Sequence, residues 1–215
     1  MTDSQKVKRP YNSARRQAQA AATRRQIIDA AYQLFVEVGY SGATVEAIAA
    51  RAGVATETVY AVFGNKRTIL ARTIDIAVGG DDQPVGVLQR SEPQLVMQMT
   101  DPEQQLRAFA VGITDTLARV APLFVVMRTA AKTEPEIADL LNNLLAERFQ
   151  NLGFFVRQLA AHSILRPAVD QTSATETVWA LTSPELFSLF SVDRGWDKAR
   201  YADWLGDALV RLLLP

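Results

Sequence analysis

The chain has 215 residues, 48% of them hydrophobic, and no cysteine, which allows one small and one larger folded unit and excludes a disulfide framework, a thiolate metal centre and a cysteine nucleophile. Its charge totals zero, but residues 1–72 carry 11 Lys/Arg against 5 Asp/Glu, a net of +6, while residues 73–215 carry 12 against 18, a net of −6. A basic first third on an acidic body predicts that one end meets a polyanion.

Residues 1–22 read as a basic arm, with Pro10 and Asn12 discouraging helix at the start and good helix formers after them that allow the first helix to begin early. The spacing of Thr23 and Gln26 predicts a capped helix start at Thr23. Ile27, Ile28, Ala31, Leu34, Phe35 and Val38 follow at helical spacing, and Gly39 ends the run. Thr44 is placed to cap a short helix carrying Val45, Ile48 and Ala49, stopped by Gly53. A third helix is expected from Ala55 to Phe63 and, past the break at Gly64 and Asn65, a fourth over 66–78. Residues 23–78 thus read as one compact domain and 79–215 as a second.

Within the second, residues 79–100 read as loop with one short helix around 93–99. Asp101, followed by Pro102 and Gln104, predicts a strong helix start. Pro122 is expected to divide that helix from one over 123–132. Thr133 and Glu136 have capping-box spacing and predict a long helix to about Ala160. A helix over 170–191 is expected to kink at Pro184, and the last starts at Asp197. There is no strand pattern of weight, so the predicted fold class is all-α.

The segment 23–70 carries Gly39-Tyr40, Ala43-Thr44-Val45, Ile48-Ala49, Ala52-Gly53-Val54, Thr58-Val59-Tyr60, Phe63, Lys66 and Leu70. In these residues and spacings it resembles the N-terminal domain of the TetR family of repressors, and 177–205 looks like the last two helices of one subgroup. The resemblance implies a helix-turn-helix DNA-binding domain before a larger helical ligand-binding and dimerisation domain. The groove width of B-DNA supports that reading, because it admits one helix while a second crosses the backbone.

Candidate DNA contacts follow. Thr44 heads a helix whose first N–H groups suit a phosphate. Thr56 and Thr58 are candidates for base edges. Arg24 and Arg25, with Arg15 and Arg16, are candidates for the DNA backbone. The resemblance assigns Tyr60 and Lys66 to phosphates. Two positions depart from the family pattern. Ala55 replaces a capping serine, a loss of about 1 kcal/mol unless Thr56 substitutes. Glu57 replaces a glycine, and its carboxylate either accepts from cytosine N4 or faces solvent.

The resemblance also implies a small-molecule pocket in the second domain, with Phe109, Phe124, Met127, Phe154 and Trp179 as apolar candidates and Arg128 and Asn143 as polar anchors. Composition alone reads the apolar five as ordinary core. Leu181, Phe187, Tyr201, Trp204, Leu205 and Leu212 are candidates for a homodimer interface, some of which must face the core instead. No nucleophile, base and orienting group stand together, so no enzymatic activity, cofactor or metal is expected. His162 and the Asp81-Asp82 pair read as surface residues. The N-terminus does not look like a secretory signal and no run of about 18 apolar residues is evident, so a cytoplasmic protein without a membrane span is expected. The expected function is a ligand-responsive regulator, most simply a repressor released from a palindromic operator. The rival readings are a helical enzyme or small-molecule carrier, and a structural helical dimer without DNA.

Overall fold

The computed structural model describes residues 11–167 and 169–215, and the regular elements among them are helical. α1 spans Tyr11–Gly42, so Thr23 lies inside it and caps nothing. Intrinsic propensity carries this Ala- and Arg-rich stretch through a position that has the spacing of a cap. At Gly39 the backbone adopts φ 72 and ψ 178, a conformation essentially restricted to glycine, and α1 bends there.

α2 (Val45–Ala52) and α3 (Thr56–Phe63) follow. Between them the Gly53 N–H donates to Ala50 and the Val54 N–H to Ala49, a paired closure of the helix end that needs the left-handed Gly53, at φ 68. α4 (Lys66–Gly79) starts on Asn65, which does more than break α3: its Oδ1 accepts from the Thr68 N–H at 2.9 Å and from the Thr68 hydroxyl.

A 3₁₀ turn at Val87–Gln89 and α5 (Ser91–Met97) lead into α6 (Pro102–Ala130), with Asp101 accepting from Glu103 and Gln104 as expected. Pro122 does not divide this helix. Its ring and missing N–H cost about 3 kcal/mol in a helix interior. Leu117, Val120, Leu123, Phe124 and Met127 are buried on both sides of it, each contributing about 1.5–3 kcal/mol, so packing wins over the local break.

α7 (Pro135–His162) starts one residue later than the Thr133–Glu136 pattern predicts. Pro135 takes the first helical position, and the Thr133 hydroxyl turns back to the Ala130 carbonyl instead of capping. α8 (Gln171–Leu181) is capped by Asp170. Pro184 opens a new helix rather than kinking the old one: Ser183 accepts from the Leu186 N–H, and α9 (Pro184–Ser188) runs on into a π turn at Leu189–Asp193. α10 (Lys198–Leu213) starts on Asp197 as expected.

α6 is long and apolar enough to cross a membrane, yet it packs against α1, α4, α5, α7, α9 and α10, and burial among these helices explains its composition. Two apolar clusters meet along it. One joins α1–α4 to Val120, Leu123, Phe124, Val126 and Met127 of α6 and to the start of α7. The other joins Leu106, Ala110, Leu117 and Ala121 of α6 to the end of α7 and to α8–α10.

Candidate nucleic-acid interface

α3 is held by its inner face. Val59 and Phe63 are buried against Ile48 and Ala49 of α2 and the apolar side of α1, and Val54 covers the turn. The same anchoring turns Glu57, Tyr60 and Ala61 outward, with Thr56 and Thr58 partly exposed beside them. Tyr60 is 47% exposed, so its hydroxyl can approach a phosphate. No side chain caps α3: Ala55 has none to offer, and Thr56 forms no substitute bond. Thr44 is exposed and caps α2, its Oγ1 accepting from the Ala47 N–H at 3.1 Å.

Among the described residues, the basic side chains divide into exposed and engaged ones. Arg15, Arg16 and Arg24 are exposed along the first turns of α1. Arg25 is paired with Asp29 at 2.9 Å, and Arg51 ties α2 to Glu37 of α1 at 2.7 Å. Lys66 turns partly inward. Its Nζ donates to the Tyr40 carbonyl at 2.7 Å and lies 4.2 Å from the centre of the Tyr40 ring. Burial holds its pKa below the usual lysine range, partly countered by Glu134. Lys66 thereby joins the start of α4 to the bent end of α1, directly behind α3.

The far end of α4 is joined to the body. Arg119 of α6 donates from Nε to the Ala77 carbonyl at 2.7 Å, while its own carbonyl accepts from the Tyr32 hydroxyl of α1 at 3.1 Å. Arg90 covers Gly79, where an added Cβ would lie 2.4 Å from its Nη2, and pairs with Asp81 at 2.9 Å. Asp81 is therefore part of a helix-end tie, and the Gln83 N–H, then Arg90, hold its pKa below the usual carboxylate range. Neither arginine has a local sequence signature, since Arg119 reaches a carbonyl 42 residues away and Arg90 a carboxylate and a carbonyl across the preceding loop.

The candidate pocket residues do not share one cavity. Phe124 and Met127 are buried in the cluster shared with α1–α4. Phe109 stacks on Phe155, with ring centres 4.1 Å apart. Asn143 is exposed. Phe154 lines an open groove of about 400 Å³ with Leu88, Met97 and Gln158. Arg128 lines a second groove and pairs with Glu185 of α9. Trp179 packs under Arg148, a residue whose sequence context gives no hint of burial.

The interface candidates also divide. Phe187, Tyr201 and Leu205 are buried in the chain's own core, where Phe187 and Tyr201 meet edge to face. Leu181 and Trp204 are partly exposed, and Leu212 is 44% exposed. Leu189 and Val192, absent from the candidates, stand out from the π turn. His162 is exposed at the end of α7.

Residues 27–73 match the family model of bacterial regulatory proteins of the tetR family. The chain is also 30% identical over 161 residues to the HTH-type transcriptional repressor NicS of Pseudomonas putida, covering 74% of this chain and 67% of that protein. The chain belongs to the TetR family. It is a DNA-binding transcriptional regulator with its helix-turn-helix in α2 and α3. TetR-like folds match along most of its length. FadR of Bacillus halodurans superposes with a TM-score of 0.70 at 23% identity, over 86% of this chain and 97% of that one. NalD of Pseudomonas aeruginosa, the secondary repressor of a multidrug efflux pump, gives 0.66 at 24% identity over 89% and 96%. FadR of Bacillus subtilis, solved with stearoyl-CoA, gives 0.68 at 21% over 86% and 97%.

Proposed function

We propose that this TetR-family chain is a homodimeric cytoplasmic repressor that leaves a palindromic operator when a small molecule binds its helical body. The observation that carries this reading is the outward face of α3: Thr56, Glu57, Thr58 and Tyr60 stand toward solvent while Val59 and Phe63 anchor the helix from behind. In a two-fold dimer, two such helices about 34 Å apart enter successive major grooves. Thr56 and Thr58 approach base edges, with Glu57 beside them as an acceptor for cytosine N4. Tyr60 and the N-terminus of α2 below Thr44 meet phosphates, and Arg15, Arg16 and Arg24 add electrostatic attraction along the backbone. Lys66 contributes field from its post on Tyr40, and Arg25 contributes less because Asp29 holds it.

The dimer face is assigned to the outer sides of α8, α10 and the π turn, through Leu181, Trp204, Leu212, Leu189 and Val192. Repression is supported by the name of the NicS relative, and an effector in the body by the stearoyl-CoA complex of one FadR. For release to work, the effector must bind the off-operator conformation better than the operator-bound one.

The test is a gel shift of the full chain on DNA from upstream of its own gene, over a series of salt concentrations. Salt-sensitive binding to an inverted repeat is expected. Binding that is absent, or indifferent to both sequence and salt, would overturn the reading.

A further inference from the structure

One charged residue interrupts the inner stripe of α7. Leu141 and Leu145 pack into the cluster shared with α1–α4, and Leu152 and Phe155 into the second cluster. Arg148 stands between them at the same helical spacing. Its guanidinium is fixed, with Nη2 donating to the Trp179 carbonyl at 2.6 Å and to Thr182 Oγ1 at 2.8 Å. Thr182 donates its own hydroxyl hydrogen to the Val178 carbonyl, which leaves its oxygen aimed as an acceptor for Arg148.

Two donors in this group remain without acceptors among the described residues: Arg148 Nη1 and Trp179 Nε1, both buried. Arg148 also has no carboxylate within ion-pair distance among the described residues, although burial lowers its pKa to about 10. The nearest acidic influence is Glu185, and Arg128 holds that carboxylate. Tyr201, which also faces the guanidinium, donates to the Leu181 carbonyl and, like any tyrosine, carries no charge at neutral pH; burial raises its pKa further. Buried polar groups in folded proteins are nearly always hydrogen-bonded, and a buried cation is costly unless an anion accompanies it.

We propose that Arg148 Nη1 and Trp179 Nε1 form the anion-recognising end of the effector site, and that the effector is a small organic carboxylic acid. The inference rests on the reading that the body binds an effector. A carboxylate matches the site in charge and in number of bonds: one negative charge meets one guanidinium, and two oxygens meet two donors. A phosphate or sulfate would bring more charge and further oxygens that this apolar setting cannot satisfy. A groove of about 510 Å³ lined by Val125, Arg128, Thr129, Lys132 and Leu141 lies farther toward the start of α7. Leu141 and Arg148 share one face of α7, about 10 Å apart along the helix. Both charged residues on the groove wall are cationic; Glu185 offsets Arg128, which leaves Lys132 to favour the approach of an anion.

The experiment is thermal melting of the full chain with a chain-length series of monocarboxylates from acetate to palmitate, with benzoate and phenylacetate, each beside its primary amide. Operator gel shift and sedimentation are run on the same samples. At a hundredfold excess over Kd, at least one acid is expected to raise Tm by about 5–10 °C while its amide does not. Arg148→Met, which keeps the volume without the charge, is expected to fold, to dimerise like the wild type and to lose at least tenfold in acid affinity. Arg148→Lys is expected to recover part of that loss.

Three results would overturn the inference. They are no acid shifting the wild type, equal shifts by acid and amide, or an Arg148→Met variant that keeps full acid affinity. A variant that instead dissociates into monomers would also overturn it, by placing the missing acceptor on a second copy of the chain. Failure here with operator binding intact sinks only the carboxylate site, whereas loss of wild-type operator binding sinks the repressor reading whatever the acids do.

Discussion

The two ends of α4 are held by different parts of the molecule. The amino end belongs to the DNA-reading unit: Asn65 caps it, and Lys66 ties it to the Tyr40 carbonyl at the bend of α1. The carboxyl end belongs to the body: Arg119 holds the Ala77 carbonyl, and Arg90 closes over Gly79. One helix of 14 residues therefore spans a boundary, with a cation on backbone carbonyls at each side of it. Arg119 couples α6 to the carboxyl end of α4, and the Lys66 post couples the amino end to the bend of α1, beside the packing of α6 on α1 itself. The difference teaches that disturbing one end should alter response to effector, and disturbing the other should alter basal DNA affinity.

The largest expected effect is that of Arg119→Ala. It removes a charge-assisted bond and leaves part-buried carbonyls of α4 without their donor, a loss of about 3 kcal/mol. Thermal melting should fall by about 6–12 °C. Operator affinity at saturating folded protein should stay within a factor of about three, while effector-induced release is blunted. A variant that releases normally would show that α6 does not act through this contact.

Lys66→Met comes next, with a loss of about 1–2 kcal/mol of stability from the Tyr40 tie. Here the operator should suffer more than the response, with affinity down about tenfold and the salt slope reduced by about one. An unchanged salt slope would confine Lys66 to a structural post. Tyr60→Phe sharpens the contrast from the surface. Its side chain is half-exposed, so stability should stay within about 0.5 kcal/mol, while affinity falls about fivefold with no change of salt slope. The smallest effect is expected from Arg90→Ala, because its partner Asp81 is largely exposed and screened. Its denaturant midpoint should fall by less than that of Lys66→Met, because an exposed ion pair contributes little.

How far the sequence reveals this architecture depends on how local the cause is. Thr44, Gly53, Asp101, Asp170 and Asp197 act on residues two to five positions away, and their positions and effects match the expectation. Pro122 misleads because its break is outweighed by burial on both sides of α6, which depends on distant helices. Pro184 and Pro135 mislead in the other direction: each opens a helix, a role readable from the preceding Ser183 in the first case and obscured by the Thr133–Glu136 spacing in the second. The outward face of α3 is readable from its apolar spacing. The inward turn of Lys66, the Arg119 joint and the burial of Arg148 are not, because each partner is set by tertiary packing.

The three tryptophans, Trp179, Trp196 and Trp204, all stand in the body. Trp196 and Trp204 pack with Phe190, and Trp179 lies against Arg148. Tryptophan emission is therefore a one-sided reporter that is blind to α1–α4, whereas circular dichroism records both halves at once. Because α6 threads both apolar clusters, the two signals should lose structure at the same denaturant concentration, and a variant that splits them would mark the position at which the halves come apart.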